Sequence, residues 1–63
     1  MIKVSRLNGK EFVLNAELIK TVEEVPDTTI TLLSGDKYIV RESAEDIVKK
    51  AVAYGRMIRT FAS

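Results

Sequence analysis

The stretch Met1-Ile-Lys-Val-Ser-Arg-Leu-Asn-Gly-Lys-Glu-Phe-Val-Leu-Asn15 decides how the chain begins to fold. Its Asn8-Gly9 pair lies between two β-rich runs, and both residues adopt a positive φ at low cost, as two-residue hairpin turns require. The stretch therefore predicts a tight antiparallel β-hairpin.

The rest of the first 42 residues alternates short β-branched runs with turn signals, which is typical of further strands. We expect five strands, at about residues 2–7, 10–15, 18–25, 29–34 and 37–42. Pro26-Asp27-Thr28 and Ser34-Gly35-Asp36 are strong turn signals, whereas Asn15-Ala16-Glu17 has neither Gly nor Pro. Apolar residues alternate along each strand but also occur on the opposite face, so the sheet is either curled and barrel-like or covered on both sides.

A single helix is predicted after the strands, from residue 44 to about residue 60. Ser43 is a suitable N-cap, and Glu45 and Asp46 place negative charge at the positive end of the helix dipole. Gly55 within the apolar stripe indicates either a close approach to another element or a local irregularity. The stripe that we expect to pack on the sheet contains Ile47, Val48, Ala51, Tyr54 and Ile58. The predicted fold class is α+β, with residues 1–63 forming one domain of a small curled antiparallel sheet and a C-terminal amphipathic helix.

Composition restricts the classes of function. The chain has 63 residues, no Cys and no His, so it has neither a disulfide nor a usual zinc site, and self-association is the remaining common way to stabilise so small a core. Ten Lys and Arg oppose nine Asp and Glu, and this net charge of +1 makes nucleic acid an unfavoured partner. The sequence contains no membrane-spanning apolar run and no signal-peptide pattern, which favours a cytoplasmic location.

No catalytic constellation is evident, and we expect a protein that is not an enzyme. Motifs for nucleophilic catalysis and phosphate binding are missing from the sequence. Glu23 and Glu24 are adjacent on a strand and therefore point to opposite faces, so they are interpreted as a solvated edge. The acidic residues do not follow the spacing of a calcium loop. We therefore assign no catalytic, cofactor-binding or metal-binding residue.

Three segments resemble a known family: Arg-Leu-Asn-Gly at 6–9, Phe-Val-Leu-Asn-Ala-Glu-Leu-Ile at 12–19 and Val-Arg-Glu-Ser at 40–43. In this order and spacing they resemble the FlbD family of flagellar proteins, also called SwrD swarming motility proteins, over residues 1–54. The resemblance implies a cytoplasmic protein, near the motor at the inner face of the membrane, that supports motor power or stator function through protein contacts. The candidate partner-binding residues that it implies are Arg6, Asn8, Gly9, Lys10, Arg41 and Glu42.

Purely structural explanations of these candidates, which need no partner, also stay open. Asn8-Gly9 is sufficiently explained as a turn, and Arg6 is either a partner contact or one half of an internal ion pair with Glu11 or Glu42. Edge strands also carry Lys and Arg to discourage aggregation between sheets.

An RNA-binding regulator is the main alternative function. The basic residues near Phe12 and Tyr38 suggest stacking on bases, and the opening residues 2–6 are similar to those of the CsrA family. The basic segment that completes the RNA surface of that family has no counterpart here. A weaker alternative is peripheral membrane association, in which Lys49, Lys50, Arg56 and Arg59 contact headgroups while apolar helix residues insert.

Overall fold

The computed structural model describes residues 1–62, with side chains as far as Gly55. The strands are β1 (Ile2–Ser5), β2 (Glu11–Leu14), β3 (Ile19–Glu24), β4 (Thr28–Leu32) and β5 (Lys37–Val40), with a 3-10 helix (Ala16–Leu18) before β3 and the helix α1 (Ala44–Ala62) after β5. This arrangement confirms the α+β class, the five antiparallel strands and the C-terminal helix. The strands are shorter than predicted, and α1 extends two residues beyond the predicted end.

The strands form two antiparallel sheets rather than one continuous curled sheet. β1 pairs with β2, and β3, β4 and β5 form the second sheet in that order. A single bridge between Arg6 and Val40 joins the two sheets, where the backbone N–H of Arg41 donates to the carbonyl of Ser5 at 2.8 Å. β1 is therefore flanked on both sides, whereas β2 and β3 are the outer strands of an arrangement that does not close into a barrel.

The first hairpin turn differs in detail from the prediction. Only Gly9 has a positive φ, of 89°, and Asn8 does not. The N–H of Gly9 donates to the carbonyl of Arg6 at 2.9 Å, and the N–H of Arg6 donates to the carbonyl of Lys10 at 2.8 Å. These bonds define a three-residue loop in which a β-turn precedes a left-handed glycine, the commonest alternative to the two-residue loop.

Side chains cap both helical segments. The Asn15 side chain accepts from the N–H of Glu17 at 3.0 Å, so the weakly signalled turn at 15–17 begins the 3-10 helix. At α1, the Ser43 hydroxyl accepts from the N–H of Asp46 at 3.1 Å, which confirms the predicted N-cap. The chain between β3 and β4 turns at Pro26, which follows a cis peptide bond.

The core lies between the sheets and the first turns of α1. Its buried members are Ile2, Val4, Leu14, Ile30, Val40 and Ile47. Tyr54 packs against this cluster and Ala51 is half-buried, as predicted. Val48 is 53% exposed, so its assignment to the packed stripe is wrong: the two narrow sheets do not cover the full width of the apolar face. Ile58 lies outside the described side chains.

Candidate functional site

The six predicted partner-binding residues lie at one end of the molecule, where the β1–β2 turn meets the link from β5 to α1. Arg6, Asn8, Gly9 and Lys10 belong to the turn, and the Arg6–Val40 bridge brings the next two residues, Arg41 and Glu42, beside it. Residues that are far apart in sequence thus lie at the same end of the molecule, and we call this end the hairpin junction.

Arg6 lies over two aromatic rings. Its guanidinium carbon is 4.6 Å from the centroid of the Phe12 ring and 5.7 Å from that of Tyr38. The two rings are themselves in contact, with centroids 5.4 Å apart and planes inclined at 43°. This geometry places a cation over two aromatic faces, an attractive arrangement that also restricts the rotamers of a long side chain. We call these three residues the arginine platform.

An internal ion pair, one of the two alternatives for Arg6, is not found among the described side chains. The structure pairs no carboxylate with the Arg6 guanidinium, and the ion pair that it contains within residues 1–55 joins Lys49 to Glu45 on α1. Glu42 instead accepts a backbone hydrogen bond, and Glu11 lies opposite Ser5 on β2. Stacking, rather than charge pairing, therefore positions Arg6, and it leaves the in-plane N–H donors of the guanidinium available.

Asn8 and Gly9 maintain the turn. The Asn8 side-chain oxygen accepts from the N–H of Lys10 at 2.9 Å, and Gly9 supplies the left-handed conformation. The side chain of Lys10 is exposed and has no partner among the described side chains. Asn8 and Gly9 are thus sufficiently explained by local structure, whereas Lys10 contributes an available cation.

Arg41 packs on the outside of the same turn. A Cβ atom built on Gly9 would lie 3.5 Å from the Nη1 atom of Arg41. Arg6 and Val40 are bridge partners and share the inner face, so the next residue, Arg41, points to the outer face. The two arginines therefore flank the hairpin turn from opposite sides.

Glu42 ties β1 to the start of α1. Its carboxylate accepts from the N–H of Ser5 at 2.9 Å. Burial disfavours the charged form of Glu42, but hydrogen bonds from the backbone of Ser5 and of Glu42 itself, together with the positive charge of Lys50, outweigh burial and lower its pKa. The charged Glu42 side chain therefore links two elements that are distant in sequence by a hydrogen bond.

Glu24 is a structural residue that the sequence interpretation missed. Its carboxylate accepts from the N–H of Ala44 at 2.6 Å and from the Thr28 hydroxyl at 3.5 Å. It thus stabilises the first turn of α1 instead of lying on a purely solvated edge. Glu24 and Ala44 are 20 positions apart in sequence, so no local signal could have revealed this contact.

The part of the chain that the structure describes contains no group of three or more acidic, Cys or His residues arranged to hold a metal ion. The surface of the described side chains includes two shallow grooves. One, of about 310 Å³, lies between β1 and α1, and another, of about 320 Å³, lies beside the start of α1. Glu24, Arg41 and Ser43 are among the residues that line the second groove.

The weaker alternative, insertion of apolar helix residues into a membrane, conflicts with the packing of the core. Ile47 is fully buried, so it is unavailable to a lipid surface, although Val48 and Val52 are exposed. Within residues 1–62, no helix has the length and apolarity that crossing a bilayer requires.

These features describe a small α+β module in which a stacked arginine, without a carboxylate partner among the described side chains, lies beside a hydrogen-bonded turn. A family model described as "Flagellar and Swarming motility proteins" matches residues 1–59, and the chain belongs to this FlbD family. No curated protein matches the chain, and neither does any solved structure. The family match extends the resemblance that the sequence motifs indicated through most of α1.

Proposed function

We propose that this protein supports flagellar or swarming motility without catalysis, by contacting proteins of the flagellar motor or its stator. The observation that carries the proposal is the motility-family match over residues 1–59. We place the protein in the cytoplasm, at the inner face of the membrane near the motor. No cofactor or metal takes part in this role.

We propose the hairpin junction as the contact surface. Arg6, Lys10 and Arg41 provide cations that no described carboxylate neutralises, and they surround a turn that is already ordered. A rigid surface loses little conformational entropy on binding. Asn8, Gly9 and Glu42 maintain the geometry of this surface, and their substitution would weaken partner binding through the fold.

Self-association is a further part of the proposal. Val13 and Ile39 are 62% and 49% exposed on the outer faces of β2 and β5, and Val48 and Val52 are similarly exposed on α1. A small core with exposed apolar side chains gains stability when a second subunit covers them. Light scattering should therefore give a mass above 7.1 kDa at micromolar concentration. A constant monomer mass through a dilution series would contradict this part.

A genetic complementation experiment tests the motility role. Cells that lack the gene should swarm poorly, the natural gene should restore swarming, and Arg6→Ala should fail to restore it although the purified variant remains folded. Lys3→Ala is the matched control, since it removes a charge from the same hairpin but outside the junction, and it should restore swarming.

The same strains test the RNA-regulator alternative. If deletion leaves motility intact and changes messenger-RNA levels instead, the motility role is wrong. If folded Arg6→Ala protein supports normal swarming, the contact surface lies elsewhere.

A further inference from the structure

The outer edge of β2 carries backbone groups without partners among the described residues. β2 pairs with β1 alone. Hydrogen-bonded and non-hydrogen-bonded pairs alternate along an antiparallel ladder, and the Arg6-to-Lys10 bond fixes the phase in this hairpin. By this alternation the N–H groups of Glu11 and Val13 point away from β1. The bonds of Ser5 on β1, which lies opposite Glu11, support the same assignment. The N–H of Ser5 donates to Glu42 and its carbonyl accepts from Arg41, so neither group bonds to β2.

One member of the arginine platform, Phe12, lies on this edge strand and contacts the Arg6 guanidinium. Phe12 belongs to β2, and the guanidinium that covers its ring is held on the inner face of the sheet. A strand added to β2 would lie about 4.8 Å from it, and every second side chain of that strand would stand beside Phe12 on the inner face. A carboxylate on such a side chain can receive two parallel N–H bonds from a guanidinium that stacking has already oriented.

We propose that β2 and the arginine platform form a docking site for an extended acidic segment of a partner protein, which adds a strand to β2 and places a carboxylate on Arg6. This inference rests on the proposed partner contact and names the chemical class of that partner. Backbone pairing supplies affinity, and the carboxylate fixes the register of the added strand.

Charge and geometry favour an acidic protein segment over a nucleic acid or a lipid surface. The net charge of +1 opposes a densely charged polyanion. The unpaired edge offers donors and acceptors at the spacing of a peptide backbone, which neither a phosphodiester chain nor a headgroup layer reproduces.

A peptide titration followed by NMR tests the site on the full chain. The probe is a short, acetylated and amidated peptide in which Val and Glu alternate, so that all carboxylates share one face. The amide signals of Glu11 and Val13 should shift, and their hydrogen exchange should slow by at least about tenfold on binding. A peptide with Gln in place of Glu should bind at least about tenfold more weakly, because a charge-assisted bidentate pair is lost.

Protein variants separate the two parts of the site. Arg6→Lys should weaken binding of the Glu peptide by at least about tenfold, since Lys keeps the charge but not the planar fork. Lys3→Ala, the matched charge control on the other face, should stay within about twofold because it leaves both edge and platform intact. Val13→Pro removes an outward N–H without removing a bond to β1, and it should abolish binding. If that variant does not fold, methylation of alternate peptide nitrogens makes the same test.

Three results would overturn the docking site: unchanged Glu11 and Val13 amides, equal binding of the Glu and Gln peptides, or tighter Arg6-dependent binding to a uridine oligonucleotide or to anionic vesicles. Swarming assays test separately whether this contact is needed for motility. An Arg6→Lys variant that loses the peptide but swarms normally leaves the docking site in place and contradicts the motility role of that contact. Conversely, peptide binding that fails while Arg6→Ala still abolishes swarming overturns the docking site alone.

Discussion

The β1–β2 and β4–β5 hairpins are built alike. Residues 4–14 align without a gap with residues 30–40: Val-Ser-Arg-Leu-Asn-Gly-Lys-Glu-Phe-Val-Leu against Ile-Thr-Leu-Leu-Ser-Gly-Asp-Lys-Tyr-Ile-Val. Gly35 has a φ of 94°, and its N–H donates to the carbonyl of Leu32 at 2.9 Å, as Gly9 does to Arg6. The aligned residues Val4 and Ile30 are fully buried, and the aligned rings of Phe12 and Tyr38 contact each other.

The two hairpins lead into helices of very different length. Asn-Ala-Glu-Leu-Ile at 15–19 and Ser-Ala-Glu-Asp-Ile at 43–47 both begin with a capping residue, but the first helix has 3 residues and the second has 19. β-Branched Thr21 and Val22 come after the short helix, whereas Lys49, Lys50 and Ala51 continue the long one. A cap starts a helix, and the propensity and packing of the next residues decide its length.

The hairpins also differ in the groups that lie against the turn. Gly9 faces the guanidinium of Arg41, while a Cβ at Gly35 would meet nothing within 4 Å. At the aligned position before each turn, the first hairpin has the exposed Arg6 and the second has Leu32, which packs against the core. At this position the second hairpin therefore contributes to the core, whereas the first contributes to the cationic surface.

The largest effect should come from the two aligned isoleucines. Ile47→Asp places an unpaired charge in the core and should cost at least about 3 kcal/mol of unfolding free energy. Ile19→Asp, at a half-buried site, should cost less, about 1–2 kcal/mol. Urea unfolding followed by circular dichroism measures both. Equal losses would show that the two capped segments contribute equally to the core.

The turn glycines provide the next test. Gly9→Ala and Gly35→Ala should each lose about 1–2 kcal/mol, because both force a left-handed backbone on alanine. The Cβ at Gly9 would make only an ordinary contact with Arg41, so the two losses should agree. Thermal unfolding measures them. A much larger loss of stability for Gly9→Ala than for Gly35→Ala would mean that Arg41 packs more tightly on Gly9 than a 3.5 Å contact implies.

A smaller effect is expected from removing the hydrogen bond between Ser5 and Glu42, which has no counterpart in the second hairpin. Because the folded-state pKa of Glu42 lies below its ordinary value of 4.5, its charge stabilises the fold above that pH and ceases to do so as pH falls through the folded-state pKa. Glu42→Gln should remove about 0.5–1 kcal/mol at neutral pH, a figure reduced by solvent exposure, and nothing in strong acid. Urea midpoints of both proteins across the acid range check this. If the difference between the two midpoints does not change with pH, the loss comes from packing and not from the charge of Glu42.

The smallest effect should come from making the hairpins more alike. Arg6→Ala removes the cation from the rings and should cost about 0.5–1 kcal/mol, whereas Arg6→Leu copies the aligned Leu32 and should cost less. Thermal unfolding of the two variants and the natural protein decides the order. If Leu is the more destabilising residue, the contribution of Arg6 to the fold is its charge rather than its coverage of Phe12 and Tyr38.

Local signals predicted much of this fold. Asn8-Gly9 and Ser34-Gly35 marked both turns, and Ser43 marked the start of α1, because turns and caps depend on residues within four positions of each other. The exposure of Val48 could not be predicted in this way, since it depends on the width of sheets assembled from distant residues.

The candidate site was predictable only as a set of residues. Family resemblance selected Arg6 and Arg41, but their separate environments depend on the Arg6–Val40 bridge and on ring stacking between β2 and β5. The contacts of Glu24 and Glu42 likewise span 20 and 37 positions. Sequence patterns of period two or 3.6 carry no information at such separations.

The central place of β1 also sets the order in which the chain assembles. β2 follows β1 after a three-residue loop, whereas the hydrogen bond from Ser5 requires the Glu42 carboxylate, 37 positions away. Closing the longer loop costs more entropy, so we expect the hairpin to form early and its contact with β5 late. In stopped-flow experiments, Glu42→Gln should therefore speed unfolding and leave the folding rate almost unchanged. A ribosome releasing this chain would expose a hairpin with two open edges until β5 emerges.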